Sequence, residues 1–379
     1  MKRNIAGADP YCYRRLIWMK QMVRFQDLIK FNVSKAIIGA LILVPLLYSA
    51  AQAGWSQQTI EMDRRVEAVS TDKALAVDSS GKPHLIYKAS DEDSYLYYAY
   101  YNGSTWQRER VASIAVYNGS LVLDSKDRPH IIYFYYESNK QAFYYAYFDG
   151  NSWQTKTLVS LEKWGIVQGS LALDPDDHPH ISYSSYYHGI NDYNNWELKY
   201  AYFDGNSWQV TTVDQQMVRT NISYGVNYAN SLALDSNNRP HISYVYTKIE
   251  TGLESVNYAY FDGNSWQVET LSSGKFGQYH GSSLALDSNG RPQISYYDYY
   301  AQELKYIYFD GNAWQTTTVD QGNRVINFSL ALDHLDRPHI GYLVEHPLEN
   351  VFYTEVRYAY FDGASWQVTT LDSKGGFYI

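Results

Sequence analysis

The sequence predicts an all-β protein, a β-propeller built from four-stranded antiparallel blades. The first observation is that two phrases alternate along the chain, each recurring six times with small changes. They read "SLALDSNNRPHISY" at Ser231–Tyr244 and "NYAYFDGNSWQVET" at Asn257–Thr270. The second is that the aspartate of the first phrase recurs at intervals of 46 to 61 residues. These aspartates are Asp78, Asp124, Asp174, Asp235, Asp287 and Asp333. A repeat of roughly fifty residues with four short strands is typical of a propeller blade.

Each phrase predicts a hairpin, so that every blade has four strands, A to D in chain order. In the first phrase Leu and Ala alternate up to Asp235, a polar turn follows, and Pro240 opens strand B. In the second, Tyr and Ala alternate up to the Asp262-Gly263 turn, and Trp266 begins strand D. Strand A is apolar on both faces, which indicates the inner strand, whereas the half-polar strand D suits the rim.

Six complete blades are predicted, together with one additional outer strand near the N-terminus. The blades lie near residues 74–112, 120–159, 170–213, 231–271, 283–319 and 329–371 of the propeller region 54–379. Strand D, marked by its tryptophan, occurs a seventh time at Trp55 without strands A to C. Because an uncovered sheet edge is a liability, we expect the intact protein to have seven blades, with this sequence ending where the next strand A would begin. The alternative is a six-bladed ring in which the Trp55 strand is an extra edge.

Residues 1–53 are predicted to be a leader with a signal peptide. An apolar run at residues 36–50 ends in Ala51-Gln52-Ala53, the small-x-small pattern that signal peptidases accept, so cleavage is expected after Ala53. A membrane anchor is disfavoured because the run is short and contains Pro45. The mature protein is therefore expected to be secreted or periplasmic, without a membrane span. The one cysteine, Cys12, leaves with the leader, so no disulfides are expected.

Charge and composition narrow the range of partners. The chain has 31 basic and 40 acidic residues, and after residues 1–53 are removed the remainder carries 23 against 38. Such an acidic protein repels phosphate backbones, which argues against nucleic acid as a partner. The sequence contains 40 tyrosines and ten tryptophans. We expect a monomer without a cofactor or a bound metal.

Three recurrent polar features have structural explanations that we prefer to functional ones. A histidine follows proline in five repeats, but a ring carries equivalent positions apart, whereas metal ligands must converge. The segment "DSNGRP" at residues 287–292 resembles the start of a calcium loop, yet it lacks the later ligands and forms a good turn. Basic residues in the same turns are expected to be solvated charges. The histidines are His84, His130, His180, His241 and His339.

The phrase "FDGNSW" at the turn between strands C and D resembles the Asp-box, or BNR, repeat of the sialidase-like propellers. The likeness covers residues 54–379 at the level of repeat architecture, although Asp and Gly are adjacent here, whereas the box usually separates them. In that family the box is structural and lies far from the active face. The resemblance also implies an arginine triad, a Tyr–Glu pair, an acid/base Asp and an Arg-Ile-Pro motif in enzymatic members. No Arg-Ile-Pro occurs here, so a non-enzymatic member is predicted.

Function is expected in the B–C and D–A connections, which vary in length and content. Aromatic rings beside amides and carboxylates suit a glycan or a protein surface. The candidate ligand contacts are Trp164, Tyr186, Tyr187, Trp196, Arg219, Tyr224, Tyr228, Tyr279 and Arg324. Carboxylates in or beside the B–C connections leave a sialidase-like glycoside hydrolase as the alternative. They are Glu137, Asp192, Glu197, Asp298 and Glu303. A scaffold or adhesion segment of a longer chain is the third hypothesis.

Overall fold

A computed structural model describes the greater part of the propeller region. The described residues are 65–67, 73–90, 94–112, 116–137, 140–161, 166–188, 193–219, 230–248, 253–274, 281–348 and 351–378. The expected signal peptide, its cleavage site and the Trp55 strand lie outside these ranges. Export and a seventh blade therefore stay predictions.

The described strands form six sheets. Blade 1 contains β1 (Arg65–Glu67), β2 (Leu75–Val77), β3 (Pro83–Ser90), β4 (Ser94–Tyr101) and β5 (Trp106–Ala112). Blade 2 contains β6 (Val116–Leu123), β7 (Pro129–Glu137), β8 (Lys140–Phe148) and β9 (Trp153–Leu161). Blade 3 contains β10 (Ile166–Leu173), β11 (Pro179–His188), β12 (Tyr193–Phe203) and β13 (Trp208–Arg219).

The second half of the ring repeats this arrangement. Blade 4 contains β14 (Asn230–Leu234), β15 (Pro240–Lys248), β16 (Leu253–Phe261) and β17 (Trp266–Gly274). Blade 5 contains β18 (Ser282–Leu286), β19 (Pro292–Asp298), β20 (Glu303–Phe309) and β21 (Trp314–Gln321). Blade 6 contains β22 (Arg324–Leu332), β23 (Pro338–Leu348), β24 (Val351–Phe361) and β25 (Trp366–Tyr378).

The sheet order confirms the predicted strand order. In blades 2 to 6 the four strands pair antiparallel in chain order, and in blade 1 the inner position is shared by β1 and β2, which both pair with β3. The inner strands of consecutive blades contact one another in the order β2, β6, β10, β14, β18 and β22. The protein is thus an all-β propeller ring of six four-stranded blades, and its described residues include no helix.

Antiparallel pairing fixes which connections share an end of the ring. The A–B and C–D turns lie at one end of every sheet, which we call the turn face. The B–C and D–A connections lie at the other end, which we call the loop face. No helix of the described residues is long and apolar enough to cross a membrane.

The hydrophobic cores lie between the blades, as the alternation of large and small residues predicts. Between blades 2 and 3, for example, Phe143 and Tyr145 of β8 pack against Leu171 of β10 and Ala201 of β12. Leu171 is completely buried, whereas Val210 on the rim strand β13 is 55% exposed. Apolar burial that joins one sheet to the next is what holds the ring together.

The tryptophan that opens each strand D also joins two blades. Trp208 lies tilted against Phe203 of its own turn, with ring centroids 5.8 Å apart, and edge-on against Tyr145 of the preceding blade at 5.7 Å. The same contact with the preceding blade is made by the pairs Tyr98–Trp153, Tyr200–Trp266, Tyr258–Trp314 and Tyr306–Trp366. The recurrent phrase therefore stabilises the fold, and its tryptophan does so between blades as well as over the turn.

The recurrent histidines form buried hydrogen-bonded relays within the blades. In blade 2, His130 Nε2 lies 3.5 Å from Asp124 Oδ2, and His130 Nδ1 lies 2.5 Å from the hydroxyl of Tyr145. Placing the ring proton on Nε2, towards the carboxylate, leaves Nδ1 to accept a hydrogen bond from the tyrosine hydroxyl. In blade 5 the tyrosine of the relay, Tyr306, donates instead to Gln293. These contacts agree with the structural role predicted for the histidines.

Candidate functional site on the loop face

The turn face is built from turns that satisfy their own polar groups. In the C–D turn of blade 4, Asp262 Oδ1 accepts hydrogen bonds from the backbone N–H groups of Asn264 and Ser265, and Oδ2 accepts one from Gln267. These bonds hold the pKa of Asp262 below its ordinary value. In the A–B turn, Asp235 accepts from two backbone N–H groups and from the Arg239 side chain. The carboxylates of both sets of aspartates are therefore engaged in hydrogen bonds within their own turns.

One A–B turn groups three potential metal ligands, namely Asp174, Asp176 and His178 in blade 3. Asp174 Oδ1 already accepts from the backbone N–H groups of Asp176 and His178, and its Oδ2 lies 3.3 Å from His178 Nδ1. The other blades use the same turn geometry, with arginine in place of His178 in blades 2, 4, 5 and 6 and Lys82 in blade 1. The arrangement supports the turn interpretation of this segment.

The loop face between blades 5 and 6 presents an exposed pair of aromatic rings. Tyr299 and Tyr300 occupy the short turn between β19 and β20 and are 38% and 67% exposed. The two rings meet edge to face with centroids 5.7 Å apart. Beneath them, the hydroxyl of Tyr297 donates to the carbonyl of Asn323, which ties this turn to the following D–A connection.

A charged pair stands next to these rings. The guanidinium carbon of Arg324, the first residue of β22, lies 5.9 Å from the centre of the Tyr299 ring, a cation–π distance. Arg324 Nη1 is 3.1 Å from Glu345 Oε2 on the neighbouring strand β23. Their strand register, Arg324 opposite Glu345, fixes the pair at the loop-face end of the sheet.

A second carboxylate, Glu355 of β24, collects several donors in the same blade. Its Oε1 accepts from the Tyr353 hydroxyl at 2.5 Å, and its Oε2 accepts from Arg357 Nε at 2.7 Å. His346 Nε2 lies 3.4 Å from Glu355 Oε2, and the His346 ring stacks on Tyr353 at 4.4 Å. Burial raises the pKa of Glu355, but the hydrogen bonds from Tyr353 and Arg357 outweigh it and hold the pKa below the ordinary value.

Arg357 also connects this blade with the previous one. Its Nη1 donates to Asp320 Oδ2 of β21 at 2.9 Å, and the Tyr342 hydroxyl donates to the same carboxylate oxygen at 2.8 Å. Burial, followed by the nearby Asp320 charge, raises the pKa of Tyr342 well above its ordinary value. We call the group formed by Tyr299, Tyr300, Arg324 and Glu345 the blade 5–6 site; Glu355, Arg357 and Asp320 form a neighbouring charged network between the same two blades.

Apart from Trp196, the predicted contact residues divide into three groups. Arg324 belongs to the blade 5–6 site. Tyr186 and Tyr187 lie in β11 and Arg219 ends β13, with Tyr186 opposite Trp196 in the register of blade 3. The remaining predicted contacts lie outside the described residues; they are Trp164, Tyr224, Tyr228 and Tyr279.

Trp196 needs a correction. Its side chain is completely buried, and its ring stacks on Tyr244 at 5.8 Å and lies 5.3 Å from Tyr246 of the next blade. A ring enclosed in this way packs two blades together and offers no surface to a ligand. The aromatic richness of the framework explains the error, because sequence does not show which tyrosines and tryptophans face inward.

Sequence analysis also missed most of the blade 5–6 site. The signal was the pair Tyr299-Tyr300 between Asp298 and Glu303, two carboxylates that were noted for another reason. This turn has only four residues between β19 and β20, so its length does not distinguish it from the framework turns. Glu345, Glu355 and Arg357 lie within strands, where the alternation of residues gave no reason to separate them from the framework.

Comparison with known proteins supports the fold. No protein-family model and no curated protein matches the chain. Among solved structures, an ulvan lyase of a polysaccharide lyase family aligns with a TM-score of 0.54 and 12% identity, covering 82% of this chain and 86% of that one. A six-bladed fucose-binding lectin from Aleuria aurantia aligns at 0.49 and 11%, covering 82% and 96%, and a Hadza microbial sialidase at 0.44 and 9%, covering 77% and 67%. At these identities the likeness concerns the fold.

Proposed function

We propose that the protein binds a carbohydrate at the blade 5–6 site without converting it. The observation that carries this proposal is the exposed Tyr299–Tyr300 pair beside the Arg324–Glu345 pair. The flat face of an aromatic ring can pack against the apolar C–H face of a sugar, while the charged neighbours hydrogen-bond the hydroxyl groups. Both aromatics lie in a turn held by two strands of one blade, which limits the ordering cost of binding.

The fold is compatible with this proposal. An ulvan lyase structure with a bound glucuronate–rhamnose sulfate unit aligns with this chain with a TM-score of 0.52 at 12% identity. A propeller ring can thus present a polysaccharide site. The residues of this chain must supply the recognition, because fold does not determine function.

The charged network explains why we favour binding over catalysis. A glycosidase needs one carboxyl group whose pKa is raised so that it can donate a proton. Glu355 has the opposite tendency, since its pKa is lowered by Tyr353 and Arg357. Asp320 is likewise occupied by Tyr342 and Arg357. Both carboxylates are therefore engaged in hydrogen bonds within the protein.

A glycoside hydrolase is the second candidate, and one observation favours it. The Tyr353 hydroxyl donates to Glu355 at 2.5 Å, and a Tyr–Glu pair is what the resemblance to sialidases implies for an enzyme. The test is turnover of fluorogenic sialosides and other glycosides by the chain that begins at Gly54. Turnover that is lost in Glu355→Gln would replace our proposal with this one.

Binding can be tested with a glycan array followed by titration calorimetry. We expect Tyr300→Ala to weaken the affinity roughly tenfold, since loss of one stacked ring costs about 1.4 kcal/mol. Val268→Ala is the matched control, because Val268 is 44% exposed on the rim strand β17. Equal affinities for Tyr300→Ala and the parent chain, or an array on which nothing binds, would contradict the proposal. Binding to another protein, with no glycan bound, would instead support a protein surface as the ligand.

We further propose that the protein acts outside the cytoplasm. The support is the apolar run and the Ala51-Gln52-Ala53 pattern of the leader. Sequencing the N-terminus of the exported protein tests this, with Gly54 as the expected first residue. A protein that keeps residues 36–53 and stays with the cells would contradict it.

A further inference from the structure

We infer that the blade 5–6 site selects uncharged glycans and discriminates against sugars that carry carboxylate or sulfate groups. This inference rests on the proposed carbohydrate binding and adds the class of ligand. It is based on the pairing of Arg324, Arg357 and Lys305 with carboxylates and on the excess of carboxylates over cations near the loop-face ends of blades 5 and 6.

Arg324 is a cation that lies against one of the exposed rings, Tyr299. Its guanidinium lies over Tyr299 and pairs with Glu345 at 3.1 Å, while its side chain stays 41% exposed. An acidic sugar stacked on Tyr299 would have to share this guanidinium with Glu345, at short range and with like charges facing each other. A neutral sugar hydroxyl can accept a hydrogen bond from the same group without that repulsion.

Arg357 has the fork of N–H donors that commonly binds an anionic ligand. Its Nε and Nη2 face Glu355 at 2.7 and 2.5 Å, and its Nη1 faces Asp320 at 2.9 Å. Its side chain is only 16% exposed. Two carboxylates therefore already occupy the fork of donors that would otherwise grip a carboxylate or sulfate in a bidentate manner.

Carboxylates outnumber cations in the part of blades 5 and 6 near the turn of Tyr299 and Tyr300. Lys305 is paired with Glu303 at 2.8 Å, so the third described cation is also engaged. Against these three cations stand five carboxylates, namely Asp298, Glu303, Asp320, Glu345 and Glu355. These carboxylates outnumber the cations near the loop-face ends of blades 5 and 6, and the acidic chain as a whole, with a net charge of −9, adds to the negative charge.

This conclusion separates the chain from the polysaccharide lyase that shares its fold. The ligand bound to that lyase carries a uronate and a sulfate. Fold-level likeness alone would suggest an acidic glycan here as well. The paired arginines and the carboxylate surplus of this chain point to the opposite preference.

The experiment begins with an array of neutral, amino-bearing, uronate-bearing and sulfated oligosaccharides, probed with the chain that begins at Gly54. The strongest neutral binder is then oxidised at its C6 hydroxyl groups to carboxylates, and both forms are titrated. We expect the oxidised form to bind at least roughly tenfold more weakly, a difference of about 1.4 kcal/mol. Affinity for the neutral form should stay constant between low and high salt, because no ion pair forms on binding.

A charge variant tests the cause. Glu345→Gln frees Arg324 from its partner, so we expect it to regain affinity for the oxidised glycan while the neutral form binds as before. Asp176→Asn is the matched control, because Asp176 is an exposed carboxylate in the A–B turn of blade 3, on the turn face and away from the site. It should leave both affinities unchanged, and both variants should show the parent melting profile.

Three results would overturn the inference. Acidic glycans that dominate the array with salt-sensitive binding would refute it while leaving carbohydrate binding intact. Equal affinities for the oxidised and neutral forms would refute it in the same way. An array on which no glycan binds would instead remove the proposed function, and this inference with it.

Discussion

His130 shows how one side chain stabilises a blade. It accepts a hydrogen bond from the buried Tyr145 hydroxyl and lies against Asp124, while burial lowers its own pKa despite the opposing effect of that carboxylate. Because Tyr145 also packs against Trp208 of the next blade, the relay holds in place a ring on which two blades depend.

We predict that His130→Ala lowers the free energy of unfolding by about 1–3 kcal/mol, because it leaves the Tyr145 hydroxyl buried without an acceptor. His130→Gln should lose much less, since Gln293 accepts the Tyr306 hydroxyl in blade 5 of the same protein. Urea denaturation of the three chains measures both effects. Equal losses for alanine and glutamine would contradict the hydrogen-bonding role.

The five relays also predict a pH dependence. Burial lowers the pKa of His84, His130, His180, His241 and His339 below the ordinary value of 6.5. In the unfolded chain these residues take up protons at a higher pH than in the fold. The contribution of these histidines to the free energy of unfolding is therefore complete well above pH 6.5, and it is lost as the pH falls below 6.5.

We expect the free energy of unfolding to be constant between about pH 7.5 and 8.5 and to fall between about pH 7 and 5.5. His130→Gln should reduce that slope by at most about 1.4 kcal/mol per pH unit, the contribution of one proton. Denaturant midpoints across this range provide the measurement. A free energy of unfolding that does not change down to pH 5.5 would contradict this prediction, because protonation of the histidines would then not destabilise the fold.

At the scale of strands, the opening tryptophan of strand D connects neighbouring sheets. We predict that Trp208→Ala destabilises the protein by on the order of 3 kcal/mol, because it removes the contacts with Phe203 and with Tyr145 of blade 2. Val210→Ala on the same strand is the control, since Val210 is 55% exposed and should change stability by less than about 0.5 kcal/mol. Thermal unfolding distinguishes them. Similar melting points for the two variants would contradict the interblade role.

Strands and their order could be predicted from the sequence, whereas the site could not. The alternation in residues 231–244 and 257–270 recurs often enough to fix four strands per blade, and local turn chemistry at Asp262-Gly263 marks their ends. Whether a given aromatic faces inward depends on the neighbouring blade. Trp196 and Tyr300 look equally suited to a ligand in the sequence, yet one is completely buried and the other is 67% exposed.

At the scale of the whole molecule, contacts run mainly between consecutive blades. The backbone N–H of Leu232 donates to Ser170 Oγ of the preceding inner strand, and Leu284 donates to Ser231 in the same way. The tryptophan–tyrosine contacts follow the same order around the ring. Stability should therefore resemble a sum of blade terms and nearest-neighbour terms.

Double-mutant cycles test this arrangement. Trp208 and Tyr145 touch across the boundary of blades 2 and 3, so Trp208→Leu and Tyr145→Leu should show a coupling of about 0.5–1.5 kcal/mol. Tyr306 makes the equivalent contact with Trp366 between blades 5 and 6, so Tyr306→Leu is the distant control. Its coupling with Trp208→Leu should stay within about 0.5 kcal/mol. Equal coupling in both cycles would mean that the ring responds as one indivisible unit, because a substitution in one blade would then alter packing throughout the circle.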